Sequence, residues 1–193
     1  MMKSVPIPQR ATGVQAHTQR AIIDAAVRCL AEDFTAPLAD IAKKAGVGRT
    51  TLHRYFNERN DLLAVISATA VAQSSEATQR ARLAEGPALD AIGRFCEEHF
   101  EMGEILALVL DQPQLSDTVD WDNEGPKEAL LELICRGQAE GTIDPKLQPE
   151  WAHQVIWTLL YGVLHYQPVD GASRNGALNL CLSSLRRALE PPA

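Results

Sequence analysis

The sequence predicts an all-α fold in which an N-terminal three-helix helix-turn-helix domain precedes a C-terminal helical domain. Three observations predict it. Apolar residues recur at i, i+3, i+4 and i+7 through residues 38–45 and again through 176–189, the spacing of helices with one buried face. Ala-Gly-Val at 45–47 marks a tight turn after the first of these helices. Residues 86–193 show helical periodicity and no convincing alternation of the kind typical of β-strands.

The chain begins with a segment that predicts no regular structure, followed by the first helix. Residues 1–17 contain two prolines and a glycine, so we expect a flexible arm. The first helix is predicted to begin at Thr18, because threonine can act as an N-cap. Its inward face would carry the apolar side chains of Ile22, Ala26, Cys29 and Leu30.

Residues 38–63 predict two short helices, a tight turn between them and the start of a third helix. Gly46 can leave the first of the two helices in the left-handed conformation, and Val47 returns an apolar side chain to the core. The helix before the turn is expected to bury the side chains of Leu38, Ile41, Ala42 and Ala45. The helix after it is expected to bury Val47, either Thr51 or Leu52, and either Tyr55 or Phe56.

The same helical phase places four polar side chains together on the outer face of the second short helix. They are Arg49, Thr50, His53 and Arg54. A short exposed helix that carries two arginines, a hydroxyl and an imidazole, and is braced by a second helix, has the geometry of a helix-turn-helix. These residues therefore predict binding to double-stranded DNA.

The distribution of charge agrees with this prediction although the net charge of the chain is −7. Residues 1–60 hold nine lysines and arginines against five acidic residues, a net charge of +4. Residues 61–193 hold nine basic against twenty acidic residues, a net charge of −11. A basic N-terminal third on an acidic body is typical of a DNA-binding protein whose second domain has another task.

The composition argues against a metal centre, a secretory signal and a membrane anchor. The four cysteines, Cys29, Cys96, Cys135 and Cys181, form no C-x-x-C pair, and no His, Cys or carboxylate cluster has the spacing of metal ligands. The first residues lack the apolar stretch of a signal peptide, and the longest apolar run, 155–164, is too short to cross a bilayer. We therefore expect a cytoplasmic protein with no membrane association, metal or cofactor.

The remaining elements are predicted from apolar periodicity and from glycine and proline stops. Helices are expected over 61–85, 87–102, 104–110, 126–140, 150–167 and 176–189, with a loop over 111–125. The helix over 150–167 is apolar almost all round, which requires burial on more than one side. Two strongly apolar helices in a small domain indicate that a partner covers part of their surface.

The segment 18–63 resembles the DNA-binding domain of the TetR, or tetracycline-repressor-like, transcriptional regulators. It contains a first helix TQRAIIDAAVRCLAED, a supporting helix and turn DIAKKAGV, a recognition helix TTLHRYF and a following helix that opens with NERNDLL. The sequence departs from the family at Gly48, Thr50, His53 and Arg59, where the family usually has serine, glycine, tyrosine and lysine. Glycine caps a helix less well than serine because it offers no side-chain acceptor.

The resemblance implies a repressor that binds a palindromic operator as a homodimer and leaves the DNA when a small-molecule effector binds the C-terminal domain. The domains would be an arm over 1–17, a helix-turn-helix domain over 18–63, and a ligand-binding and dimerisation domain over 64–193. The expected DNA-contacting residues are Lys44, Gly48, Arg49, Thr50, His53, Arg54 and Arg59. Arg49, near the helix start, is the expected reader of base edges, whereas His53 and Arg59 are expected to hold phosphates.

The C-terminal domain offers aromatic and polar side chains of the types that line apolar pockets. The expected pocket residues are Phe95, His99, Met102, Trp121, Trp157, Tyr161 and His165. Trp157, Tyr161 and His165 recur at i, i+4 and i+8, so they lie on one stripe of a helix. Such a stripe can equally line the dimer interface or pack in the core, and the residues leave these alternatives open.

Catalysis is not predicted. His99 adjoins Glu97 and Glu98 in sequence, but these residues are not its i±4 partners on a helix. The chain has no G-x-S-x-G, P-loop or H-E-x-x-H motif. The alternative to an effector-controlled repressor is a helical DNA-binding or protein-interaction module without a small-molecule effector. Repression and activation both stay open, because the outcome depends on where the operator lies relative to the promoter.

Overall fold

The computed structural model describes residues 13–116, 126–166 and 173–192. Regular structure in these ranges is helical throughout, which confirms the predicted fold class. The helices are α1 (Gly13–Glu32), α2 (Leu38–Lys44), α3 (Arg49–Tyr55), α4 (Arg59–Arg80), α5 (Ala88–Phe100), α6 (Glu104–Asp111), α7 (Pro113–Ser116), α8 (Lys127–Glu140), α9 (Pro149–His165) and α10 (Arg174–Leu189). The chain divides into two compact units, the first unit up to Val65 and the second unit from Ile66, and the division falls inside α4.

α1 begins at Gly13, so the predicted start at Thr18 is wrong. Thr18 lies inside the helix, where its hydroxyl donates to the carbonyl oxygen of Val14 at 2.9 Å. Residues 14–16 include no glycine or proline that would stop a helix, and α1 therefore extends back to Gly13. Residues 13–17 thus belong to α1 instead of the predicted arm, and residues 1–12 lie outside the described range. The predicted inward face is confirmed, since Ile22, Ala26, Cys29 and Leu30 are buried.

A glycine-ended turn joins α2 to α3, as the sequence predicts. Gly46 has a φ of +69°, the left-handed conformation that glycine adopts without strain. Its N–H donates to the carbonyl of Lys43 at 3.1 Å, and the N–H of Val47 donates to that of Ala42 at 3.0 Å. These two bonds form a Schellman motif, which gives partners to carbonyls that the end of α2 would otherwise leave unpaired. The motif also determines the direction in which the chain enters α3.

Each of the two short helices buries one face. In α2, Ile41 and Ala42 are buried, whereas the predicted core residues Leu38 and Ala45 are half-buried. The alternatives left open for the face of α3 are resolved by burial. Leu52 and Phe56 are buried, and Thr51, Tyr55 and Val47 are half-buried.

α4 begins at Arg59, slightly before the predicted start. The Asp61 carboxylate accepts hydrogen bonds from the backbone N–H groups of Asn57 and Glu58, at 3.1 and 3.2 Å. This carboxylate supplies acceptors at a helix start, where backbone N–H groups have no partner within the helix. The chain can therefore leave α3 and enter α4 within a few residues.

α4 ends at Arg80, before the predicted end at Glu85. Arg82 has a φ of +46°, a left-handed conformation that stops the helix. The Arg94 guanidinium of α5 reaches the turn that follows and donates to the carbonyls of Ala81, Arg82 and Glu85, at 2.9, 3.0 and 2.6 Å. These bonds give donor partners to carbonyls of the turn and hold the chain in the direction in which it leaves α4.

The second unit has an apolar core to which α5, α8, α9 and α10 contribute. Its fully buried members include Ile92, Phe95, Ile134, Ile156 and Leu185. α9 packs one face inward, but Trp151 and Tyr161 on this helix are 60% and 41% exposed. A single copy of the chain therefore buries α9 less completely than its all-round apolar sequence predicts.

The predicted loop over 111–125 is partly helical. Asp111 is the last residue of α6, and α7 follows as a short helix that begins with Pro113. Proline is tolerated at a first helical position, so it does not exclude a helix here. Residues 117–125 lie outside the described ranges. None of the helices described is long and apolar enough to cross a membrane.

Candidate nucleic-acid interface and candidate ligand pocket

The outer face of α3 carries the four polar side chains that the helical phase predicts there. Arg49, Thr50, His53 and Arg54 are all exposed. Neither arginine forms an ion pair with a described residue, and the Arg54 guanidinium lies 5.5 Å from the centre of the Tyr55 ring. Their guanidinium donors are therefore available to an external acceptor, which suits the O6 and N7 atoms of guanine in a major groove.

The N-terminus of α3 is capped by the backbone of Gly48 alone. Gly48 has φ −71° and ψ 153°, the extended conformation of an N-cap, and no side chain accepts a hydrogen bond there. A Cβ atom at this position would meet only the Thr51 hydroxyl, at 4.0 Å. On the same helix His53 uses one ring nitrogen, because its Nδ1 lies 3.3 Å from the carbonyl oxygen of Asn57.

Two of the predicted DNA-contacting residues are bound by the chain itself. The Lys44 ammonium pairs with the Glu32 carboxylate at 2.7 Å, which joins the end of α2 to the end of α1. The Arg59 guanidinium donates to the carbonyl oxygens of Phe34 and Ala36, the latter at 2.6 Å. Sequence reasoning did not find these contacts, because the partner of each cation lies more than ten residues away.

The predicted pocket residues Phe95, His99 and Trp157 form one aromatic cluster. The ring centres of Phe95 and His99 are 3.9 Å apart, and the Trp157 ring meets both edge-on at 5.7 and 5.5 Å. Phe95 and His99 are fully buried, and Trp157 is half-buried. The indole N–H of Trp157 donates to Nε2 of His153 at 3.2 Å. The cluster therefore lies mostly inside the core.

His99 has both ring nitrogens bonded within the second unit. Its Nδ1 lies 2.9 Å from the carbonyl oxygen of Phe95, so it carries the proton and donates. Its Nε2 then accepts from the Ser74 hydroxyl, at 3.0 Å. Burial lowers the pKa of His99 to about 4, since a buried imidazolium would lose its hydration. The residue is neutral at pH 7 and serves as a satisfied core group.

Tyr161 and His165 form a second, exposed cluster with Asp111 and do not join the first. The Tyr161 hydroxyl donates to one carboxylate oxygen of Asp111 at 2.9 Å, and Nε2 of His165 lies 3.0 Å from the other. Nδ1 of His165 lies 3.0 Å from the Tyr161 carbonyl oxygen. That carbonyl, and then Asp111, raise the pKa of His165 because they stabilise the imidazolium. The residues predicted to form one stripe of α9 therefore belong to two clusters, with Trp157 in the buried one and Tyr161 and His165 in the exposed one.

The other two predicted pocket residues add little to either cluster. Met102 is half-buried and packs against the apolar group that contains Phe100, Leu160 and Val163. Trp121 lies outside the described residues. The structure therefore divides the predicted pocket between a buried aromatic cluster and an exposed polar one.

A cleft of about 490 Å³ lies elsewhere in the second unit, and none of the seven predicted pocket residues lines it. Its walls include Phe100, Glu104, Ala107, Val163, Arg174 and Ala177. The Arg174 guanidinium stacks 4.6 Å from the centre of the Phe100 ring and donates to the Phe100 carbonyl at 2.7 Å. Helical periodicity cannot reveal this cleft, because its walls come from separate parts of the chain.

Comparison with known proteins identifies a family that the N-terminal part of the chain resembles. A sequence model described as "Bacterial regulatory proteins, tetR family" matches residues 22–66. The matched segment contains most of α1, all of α2 and α3, and the start of α4. The exposed face of α3 therefore lies inside the region that the family model recognises.

Relatives match the second unit as well as the first. The HTH-type transcriptional repressor LfrR of Mycolicibacterium smegmatis is 35% identical over 185 residues, covering 92% of this chain and 93% of the relative. The HTH-type transcriptional regulator NfxB of Pseudomonas aeruginosa is 28% identical over 181 residues, covering 91% and 96%. A crystal structure of LfrR in complex with proflavine matches with a TM-score of 0.70 at 34% identity, covering 90% of this chain and 96% of that chain.

Proposed function

The chain belongs to the TetR family of DNA-binding transcriptional regulators, and from this premise we propose that it is a repressor whose homodimer binds a palindromic operator. The first unit is the DNA-binding domain, and the second unit carries dimerisation and effector binding. The observation that carries the proposal is the exposed face of α3, where two arginines, a hydroxyl and an imidazole stand together. Its test is a selection for bound DNA sequences.

In this proposal Arg49 reads base edges and the neighbouring residues support it. Arg49 is the first residue of α3, the end of a recognition helix that enters the major groove. A bidentate bond from arginine to guanine is worth about 1–3 kcal/mol of discrimination. Arg54 and Thr50 extend the same face, and His53 holds a phosphate. Gly48 lets the backbone approach the DNA closely, because it carries no side chain.

The second unit supports a dimer through apolar side chains that one copy leaves exposed. Trp151 and Tyr161 of α9 and Leu180 of α10 are 60%, 41% and 54% exposed. Large apolar side chains that share two packed helices are typical of an interaction surface. A two-fold arrangement of two copies would present two recognition helices to successive major grooves, about 34–36 Å apart.

The effector site that we propose is the cleft beside Phe100. Its volume of about 490 Å³ falls in the range typical of small-molecule sites. Phe100, Val163 and Ala177 provide apolar walls, and the exposed Glu104 carboxylate provides a negative charge. The Arg174 guanidinium also lines the cleft, but it pairs with the Glu101 carboxylate at 3.4 Å, so two carboxylates stand against one cation. These walls suit a planar aromatic cation, the chemical class of the proflavine that LfrR binds in its crystal structure. Binding there would lower operator affinity through one conformational equilibrium.

In this proposal the aromatic cluster of Phe95, His99 and Trp157 supports the wall of the cleft and does not itself bind the effector. Trp157 and Met102 pack against the same apolar group that contains Phe100 and Val163. Phe95 and His99 are core residues whose polar atoms are already bonded. Trp157 is therefore a reporter of effector binding, and its fluorescence is expected to change when the cleft is filled.

The operator test is a selection of bound sequences from a random duplex library, followed by affinity measurements across a salt series. We expect an enriched palindrome, and a steep fall in affinity with salt because the basic first unit displaces counterions from DNA. Enrichment of a single half-site would contradict the dimer. Weak binding with no enriched sequence would contradict the repressor and favour a module without sequence preference.

The effector test titrates proflavine into the complex of the protein with its selected operator. We expect release of the DNA, and Ala107→Trp is expected to weaken proflavine binding at least about tenfold because the indole fills the cleft. Trp157→Phe is the matched variant for the aromatic cluster. If Trp157→Phe lost proflavine binding and Ala107→Trp kept it, the effector site would be the aromatic cluster instead of the cleft.

A further inference from the structure

Arg59, the first residue of α4, is bound to backbone carbonyls of its own unit. Its Nη2 donates to the carbonyl oxygen of Phe34, and its Nη1 donates to that of Ala36 at 2.6 Å. The guanidinium carbon lies 5.5 Å from the centre of the Phe34 ring. Three contacts thus join the start of α4 to the segment 33–37, which connects α1 to α2.

The hydrogen bonding of the carbonyls in the segment 33–37 explains what the arginine at position 59 contributes. The carbonyl of Asp33 accepts from the Ala36 N–H at 2.9 Å, and that of Pro37 accepts from the Asp40 N–H at 3.0 Å. The Phe34 and Ala36 carbonyls accept from Arg59. Ala36 is buried, so an unpaired carbonyl there would cost free energy. A guanidinium can satisfy both carbonyls with a rigid fork, whereas an ammonium is a single point of donation.

The position of these carbonyls connects Arg59 to the recognition helix. Ala36 directly precedes Pro37, the N-cap of α2, and α2 continues through the Schellman turn at Gly46 into α3. Asp33 closes the other end of the connection, since one of its carboxylate oxygens accepts from the N–H and the hydroxyl of Thr35 at 2.8 and 2.7 Å. The connection is therefore held from both sides.

We propose that Arg59 is a positioning residue for DNA recognition, which orients α2 and α3 by clamping the Phe34 and Ala36 carbonyls, and that it does not contact phosphate. This inference rests on the proposed binding of DNA by α3. It replaces the phosphate contact that the sequence predicts for Arg59. The two carbonyls occupy two of the five N–H donors of the guanidinium, and in this proposal the other three do not reach a phosphate.

The test compares Arg59→Lys and Arg59→Gln with the parent protein and with Arg28→Gln. Arg28→Gln is the matched control, because it removes an exposed cation of α1 from the same unit and changes no residue of α2 or α3. Three quantities are measured: operator affinity, the slope of log affinity against log salt, and amide hydrogen exchange of residues 38–45 without DNA.

A positioning role predicts that both Arg59 variants lose operator affinity about ten- to a hundredfold. Amide exchange in α2 is expected to rise in both, because lysine cannot restore the fork. The salt slope should stay at the parent value. Arg28→Gln should leave exchange in α2 near the parent level.

A phosphate contact predicts a different set of results and would overturn the inference. Arg59→Lys would keep its affinity, and the salt slope of Arg59→Gln would fall by about one. Unchanged amide exchange in both variants would also overturn it. The exchange measurement needs no DNA, so a failure of the proposed operator binding is distinguishable from a failure of the clamp.

Discussion

The two units differ in what the fold does with their polar side chains. In the first unit Arg49 and Arg54 stay exposed on a short helix and form no ion pair with a described residue. In the second unit His99 is buried, and Ser74 and the Phe95 carbonyl bond both of its ring nitrogens. An unpaired side chain keeps its hydrogen bonds for a partner outside the chain. A paired polar side chain stabilises the fold instead, so the presence of a polar residue alone does not identify a binding site.

The largest effect should come from removing the unpaired arginines. Arg49→Ala together with Arg54→Ala is expected to lower operator preference at least about a hundredfold, because the base contact of Arg49 and the donors that Arg54 adds to the same face are lost together. The dimer should stay intact, since both residues lie in the first unit. Competition between the selected operator and a scrambled duplex measures the preference, and light scattering measures the dimer.

The matched control for this pair removes two exposed arginines from α1. Arg20→Ala together with Arg28→Ala takes away the same charge but leaves α3 unchanged. We expect it to weaken binding to all duplexes alike, because charge acts on phosphates without reading sequence. A dimer lost in the α3 double variant would contradict the division between the two units.

The buried histidine predicts a pH dependence of stability. Burial lowers the pKa of His99 to about 4, whereas an unfolded histidine titrates near 6.5. Between these values the unfolded chain binds a proton that the folded chain does not. The free energy of unfolding should therefore fall as the pH decreases from about 6.5 to 4, by about 3 kcal/mol. Urea unfolding across this range measures it, and His99→Gln should flatten the dependence.

His165 should act in the opposite sense and helps to separate the two effects. The Tyr161 carbonyl and Asp111 raise its pKa, so its stabilising contribution is complete below the unfolded value and is lost as the pH rises through the raised value. Asp111→Asn should remove part of that contribution. If Asp111→Asn abolished the loss of stability between pH 6.5 and 4, the assignment to His99 would be wrong.

Packing of the second unit is tested at Gly137, a glycine of α8. A Cβ there would lie 2.5 Å from Cδ1 of Ile143 and 3.0 Å from the Cβ of Ala88. Gly137→Ala should therefore lower the free energy of unfolding by about 1–3 kcal/mol. Gly93→Ala is the control, because a Cβ at that helical glycine meets nothing within 4 Å. It should raise stability by about 0.5–1 kcal/mol, and thermal unfolding compares the two.

The smallest effect is expected at the cap of α3. Gly48→Ser should stabilise the helix by about 0.5–1 kcal/mol, because φ at this position suits any residue and serine adds an acceptor for a free N–H. Amide exchange of α3 measures it. Gly46→Ser is the control and should destabilise, since Gly46 has a φ of +69°. A lower stability of Gly48→Ser would contradict this prediction and would show that the added side chain disturbs the start of α3.

The helices and the face of α3 could be predicted because their signals are local. The helical phase predicted that Arg49 and Arg54 face outward, but it could not decide which of two neighbours, such as Thr51 and Leu52, is buried on the inner face. The role of Arg59 could not be predicted in the same way, since its carbonyl partners are 23 and 25 residues away.

The second unit was harder to predict for the same reason. The turn after the early end of α4 is held by Arg94, which belongs to another helix. Trp157, Tyr161 and His165 share one helical phase, but they contact different neighbours. Tyr161 and His165 bond to Asp111 of α6, whereas Trp157 packs against the buried aromatic rings. The cleft beside Phe100 arises only when separate helices meet.

The division inside α4 has a practical consequence for anyone who wishes to exchange the two halves between related proteins. A joint placed at Val65 would fuse two half-helices of different sequence, and residues 59–65, shorter than two turns, would depend on the new half to remain helical. A joint placed after Gly86 would keep α4 whole, but the new half must then supply an arginine in place of Arg94 for the carbonyls of the turn. Modular exchange should therefore tolerate a joint at the end of the shared helix better than one in its middle.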